Sequence, residues 1–86
     1  MDLQVTCVTT RDPQRHEGIT TLGGSGWHKT RQQVIADIEG RINSFYTFDG
    51  YRRANVHVVN GVHGKYVQTY ADGVATDNLL RLPSCL

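Results

Sequence analysis

Apolar and polar residues alternate through most of this chain, and one stretch replaces the alternation with a helical spacing. Leu3, Val5 and Cys7 fall at every second position of residues 3–9 and predict a first strand. Arg11-Asp12-Pro13-Gln14 closes it, because proline cannot donate to a ladder and pre-sets a turn dihedral. Residues 18–22 predict a second, shorter strand, stopped by Gly23-Gly24-Ser25-Gly26. The period then changes. Val34, Ile35, Ile38 and Ile42 share one helical face, while Arg31, Gln32, Asp37 and Glu39 point elsewhere. Thr30 stands three residues before Gln33, the spacing at which hydroxyl and amide satisfy each other's end of the backbone. The helix is therefore expected over 31–39, with Gly40 as a left-handed C-terminal cap.

Alternation returns after the helix. Residues 44–48 are aromatic-rich and closed by Asp49-Gly50; residues 53–60 alternate Ala54, Val56 and Val58; residues 65–71 are closed by Asp72-Gly73. Asn60-Gly61 has the form of a two-residue hairpin turn. That turn would set Val58 against His63 and Val56 against Lys65, mixing charge into the apolar face. A loop from Gly61 to Gly64 instead opposes Val58 to Val67, Val56 to Thr69 and Ala54 to Ala71. Register follows the buried face, so the longer loop is expected. The order β-β-α-β-β-β predicts an α+β fold in a single domain over 1–86, one helix packed on a mostly antiparallel sheet. Val34, Ile35, Ile38 and Val67 should share a core whose edge Trp27 covers. Leu79, Leu80, Leu82, Cys85 and Leu86 are too many apolar residues for a solvated tail. A short helical turn is expected near 77–80, with Leu79 or Leu80 and Leu82 plugged into the core.

Composition narrows the function classes. The 86 residues carry nine Lys+Arg against eight Asp+Glu, a formal charge of +1, too balanced for a nucleic-acid coat or an acidic disordered tail. Apolar runs reach two or three residues, so no membrane span is expected. Met1-Asp2-Leu3-Gln4 lacks the basic and apolar regions of an export signal, which points to the cytoplasm. In that reducing compartment Cys7 and Cys85 are expected as free thiols. A bridge would need the two chain ends to meet at about 5.5 Å between Cα atoms.

The candidate chemistry is sparse. Gly23-Gly24-Ser25-Gly26-Trp27-His28-Lys29-Thr30 falls one residue short of a phosphate-binding loop, because His28 stands where the second glycine must let the backbone wrap the phosphate. What survives is an anion site at a helix start, using Gly24, Gly26, Lys29 and Arg31. Its alternative is a connector with Trp27 folded onto the core. His16, His28, His57 and His63 show no i, i+4 pair and no Cys-x-x-Cys accompanies them, so no metal is assigned. Tyr51-Arg52-Arg53 after Phe45, Tyr46 and Phe48 has the composition of a single-stranded nucleic-acid surface, with Arg52 and Arg53 as contacts. Phe45 and Phe48, however, fall on opposite faces of a regular strand.

The last third of the chain carries a family likeness. Gly64-Lys65-Tyr66-Val67-Gln68-Thr69-Tyr70-Ala71-Asp72-Gly73, then Thr76-Asp77-Asn78-Leu79-Leu80-Arg81-Leu82-Pro83, resembles the closing signature of a bacterial family of small domains of unknown function (the domain of unknown function 3892 type). Ile19-Thr20, Trp27, the Val34-Ile35…Ile38 face, Phe45-Tyr46 and Val56…Val58-Val59 fit the likeness upstream. It implies a fold and brings no activity, cofactor or catalytic residue. The sequence assigns no specific function and names no partner; the reading it favours is a small non-enzymatic interaction domain without cofactor, open to a protein partner or to self-association. An anion- or nucleic-acid-binding module is the alternative, with nucleic acid disfavoured by the charge balance. A small enzyme of unidentified chemistry comes third.

Overall fold

The computed structural model describes residues 1–12 and 15–85. Among them the chain forms β1 (Asp2–Gln4), β2 (Cys7–Thr10), a 3-10 turn at His16–Gly18, β3 (Ile19–Gly24) and β4 (Trp27–Thr30). Then come α1 (Arg31–Glu39), β5 (Ser44–Phe48), β6 (Arg53–Gly61), β7 (Gly64–Ala71), β8 (Val74–Thr76) and a second 3-10 turn at Asn78–Arg81. The class is α+β, as predicted. The strands sort into a five-stranded sheet, β1-β5-β6-β7-β8, and a three-stranded one, β2-β3-β4. Among the strand pairs of the described residues, β1–β5 is parallel and the others are antiparallel. Of the turn expected at 11–14, Pro13 and Gln14 lie outside the described residues, as does Leu86 of the tail.

The predicted first strand is two. Between β1 and β2 the chain crosses from one sheet to the other: the Val5 N–H donates to the Tyr46 carbonyl at 2.7 Å and the Thr6 N–H to the Gly23 carbonyl at 2.8 Å. The inward parity shifts at the crossing, so Val5 and Val8 are buried and Cys7 is not part of the core. Alternation at Leu3, Val5 and Cys7 reads through that shift and misses it.

The glycine-rich stretch is a hairpin. β3 continues through Gly23 and Gly24, and the chain turns at Ser25 and Gly26, whose φ of +79° suits glycine. Gly24 opposes Trp27 in the ladder, and a Cβ on Gly24 would overlap the Trp27 indole nitrogen and the Gln4 carbonyl. The missing side chain lets Trp27 lie over the core edge, its ring 5.4 Å from that of Phe45.

The helix has its predicted bounds and cap: the Gln33 N–H donates to Thr30 Oγ1 at 3.2 Å, and the Thr30 N–H to Gln33 Oε1 at 2.9 Å. Its end differs from expectation. Gly40 keeps helical dihedrals, and Arg41 takes the left-handed position with φ of 56°. The Arg41 N–H bonds to the Ile38 carbonyl and the Ile42 N–H to the Asp37 carbonyl, which is a Schellman closure one residue later than predicted. Ile42 is thereby carried off the apolar face and is 64% exposed.

Asp37 is buried instead of solvated. Its carboxylate accepts from Asn43 Nδ2 at 2.9 Å and pairs with Lys29 Nζ at 2.9 Å. The hydrogen bond from Asn43, with the Lys29 ammonium beside it, holds the Asp37 carboxyl below the ordinary aspartate range. A depressed folded-state value adds stability above the unfolded value of about 3.9 and loses it as pH falls through the folded value. Urea melts should therefore show Asp37→Asn less stable than the parent at pH 7, with a shallower loss of stability from about pH 5 downward. Parallel pH profiles for the two proteins would show that this carboxylate contributes nothing.

The predicted register holds. Val58 opposes Val67 and Val56 opposes Thr69, but the loop is shorter than expected: Gly61 and Gly64 oppose each other within the ladder and leave Val62 and His63 as a two-residue turn. β8 is an added strand: Thr76 reaches Thr69, hydroxyl to hydroxyl, at 2.6 Å. The core cluster joins Val5, Val8, Ile19, Leu22, Val34, Phe45, Val56, Val67 and Leu79, with Trp27, Ile35, Ile38, Leu80 and Leu82 packed against it. Leu79 is the plug, in a 3-10 turn one residue later than expected.

The thiol expectation is overturned. Cys7 and Cys85 are bonded, their Cα atoms 4.8 Å apart across 78 residues of chain. They meet because the C-terminal segment runs beside β2 in a parallel bridge between Val8 and Ser84.

Candidate functional site

Strand parity gives the five-stranded sheet two unlike faces. Ala54, Val56 and Val67, with Phe45, Thr47 and Thr69, turn inward and are buried. The outward set is Tyr46 and Phe48 on β5, Arg53, Asn55, His57 and Val59 on β6, and Tyr66, Gln68 and Tyr70 on β7. β6 is the central strand, and its Arg53, Asn55 and His57 are all exposed, so this face is open to solvent.

A row of side chains crosses all five strands: Gln4, Tyr46, Asn55, Tyr70 and Ala75 are successive ladder partners. Two strand spacings separate Tyr46 from Tyr70, about 9–10 Å. The Arg53 guanidinium lies 4.1 Å from the centre of the Tyr46 ring. It also donates from Nε to Asn55 Oδ1 at 2.9 Å and pairs with Asp2 Oδ2 at 2.8 Å. Burial alone would raise the Asp2 carboxyl. The hydrogen bond from Ser44 at 2.8 Å and the charge of Arg53 outweigh it, so Asp2 stays ionised below the usual range. His57 meets Tyr70 edge-on at 5.1 Å. Asn55, His57, Tyr70, Asp72 and Gly73 border a depression of about 500 Å³. The surface is aromatic and nearly neutral. It can offer ring faces and amide hydrogen bonds.

The predicted site residues divide. Arg53 belongs to this face. Arg52 lies in the turn before β6, where its N–H and that of Tyr51 donate to Asp49 Oδ1 at 2.7 and 2.8 Å. The four residues of the anion proposal are spread from the turn of the β3–β4 hairpin to the first residue of α1. Gly24 and Gly26 are at that turn, and the helix start lies three residues further along β4, about 10 Å away. Lys29 is paired with Asp37, and Arg31 donates to the Glu17 carbonyl at 2.7 Å. The four histidines lie on separate elements. His16 is in the first 3-10 turn, where burial pushes its imidazole down against the pull of Asp77; His28 is on β4, His57 on the outer face and His63 at a hairpin tip. No group of three His, Cys, Asp or Glu suited to a metal occurs among the described residues.

Sequence reasoning missed Tyr46, Tyr66, Tyr70 and His57 as one surface. Weighing Phe45 against Phe48 tests the wrong pair, since Tyr46 and Phe48 share parity and the chosen β6–β7 register already turns Tyr66 and Tyr70 outward with His57.

The chain matches the family model described as protein of unknown function (DUF3892) over residues 4–83, and it belongs to that family. No curated protein and no solved structure matches it.

Proposed function

We propose that this protein is a non-enzymatic binding domain that meets a protein partner on the outer face of its five-stranded sheet. The observation that carries the reading is the row from Tyr46 through Asn55 to Tyr70, flanked by Phe48, His57 and Tyr66, on a face whose central strand is exposed. Tyrosine gives large contact area at low entropic cost and keeps a polar end for water or partner. Charge decides the class of partner. Arg53 is neutralised by Asp2, and Asp49 and Asp72 stand at the ends of β5 and β7, so a polyphosphate would meet as much repulsion as attraction. A neutral protein surface suits the face better, and a second copy of the chain is one form it takes. A bacterial origin and a cytoplasmic location belong to the same proposal. The cytoplasmic one requires the Cys7–Cys85 bridge to be reversible.

The test uses the full chain and the variant Tyr46→Ala/Tyr70→Ala, with matched melting curves, as baits at native expression. A protein recovered with the parent should be lost with the variant. Once purified, it should shift the amides of Tyr46, Asn55, His57 and Tyr70. Retention by the variant would remove this face from the function. Shifts at Arg52 and Arg53 with an oligothymidylate, weakening with salt, would put single-stranded nucleic acid in the partner's place.

A further inference from the structure

We propose that the Cys7–Cys85 bridge is a thiol-reversible clasp, whose reduction releases the C-terminal segment from β2 while the rest of the fold stays closed. The bridge lies on the three-stranded sheet, so the inference does not rest on the outer-face reading.

The bridge fastens little besides that segment. Beyond Leu82 the chain runs along β2, where the Val8 N–H donates to the Pro83 carbonyl at 3.0 Å and the Cys85 N–H to the Val8 carbonyl at 3.3 Å. The apolar anchor comes earlier. Leu79 is buried, and Leu80 and Leu82 pack against the core, all upstream of the bridge. Opening the bridge leaves that anchor in place and returns the Val8 backbone groups to water.

The sulfurs lie at the margin of the packed core. Both cysteines are half-buried and lie outside the core cluster. They rest on a glycine: a Cβ on Gly23 would fall 2.9 Å from Cys7 Sγ and 3.2 Å from Cys85 Sγ, and 2.9 Å from Cδ2 of the exposed His28. Cys7, Gly23 and His28 are successive partners across the sheet, so the two sulfurs and the His28 ring fill the space that a side chain at position 23 would take. A dithiol reductant supplies the electrons. One of its thiolates attacks a bridge sulfur, forming a mixed disulfide and displacing the other cysteine as thiolate, which takes up a proton. The reductant's second thiol then closes its own disulfide and frees the remaining cysteine. Two electrons and two hydrogens pass to the protein, and the reductant is oxidised to its disulfide.

The experiment treats the folded full chain with millimolar dithiothreitol, followed by alkylation and intact mass, a thermal melt, and amide exchange by NMR. Both cysteines should alkylate without denaturant, and the melt should stay cooperative. Exchange at Val8 and Cys85 should speed up at least tenfold relative to Val56 and Val67. Cys7→Ser/Cys85→Ser should reproduce that profile without reductant. Alkylation that needs denaturant would make the bridge a permanent staple. Unchanged protection of Val8 and Cys85 after reduction would show that nothing is released. A double variant that does not fold would show that the bridge holds the whole domain. Each of these three results overturns the clasp.

Discussion

A chain ending at Ala75 should not fold cooperatively. The missing residues begin with Thr76, whose hydroxyl meets that of the fully buried Thr69 and whose carbonyl accepts from Gln68 Nε2. They continue with Leu79, which is 0% exposed and one of nine buried members of the core cluster. Leu79→Ala alone should cost about 2–5 kcal/mol, the range for deleting a buried leucine side chain. A domain of this length holds about 4–13 kcal/mol in all. Truncation further removes Leu80 and Leu82 from the core edge, the parallel bridge to β2 and the Cys7–Cys85 bond. Far-UV circular dichroism should show a broad transition or none. A sharp melt near that of the full chain would mean that residues 76–85 are an exposed docking motif.

How much of this was legible follows from the range over which each signal acts. The capping box of Thr30 and Gln33 is local chemistry within one turn, and the helix bounds were readable from it. The β6–β7 register was readable because two apolar alternations had to share a face across one short turn. Signals that depend on distant segments were not. Nothing near Val5 announces that the chain leaves one sheet for another, since the Tyr46 and Gly23 carbonyls that take its N–H and that of Thr6 are far along the sequence. The same applies to Gly23 and Gly24. Local composition reads them as a connector, while their role is to leave room for the Cys7 and Cys85 sulfurs and the Trp27 ring. The free-thiol expectation failed for this reason too: compartment arguments do not see that the two ends of the chain meet along β2.

The outer-face surface depends on parity within a single strand, and one pair of variants tests it. Phe45 and Phe48 lie three residues apart on β5, so one ring enters the core and the other faces out. Phe45 is 1% exposed and packs with Trp27, whereas Phe48 is 49% exposed. Phe45→Ala should cost about 3–5 kcal/mol, since it removes buried ring area and leaves a cavity against Val56 and Val67 in the same cluster. Phe48→Ala should change stability by about 0.5 kcal/mol or less, as substitutions on an exposed face do. Side by side in urea, the two melts should therefore separate widely in midpoint at similar slope. The contrast reads the strand's phase directly. If the costs were equal or reversed, β5 would be turned over, Tyr46 would point into the core, and the row from Tyr46 to Tyr70 would not exist as a surface.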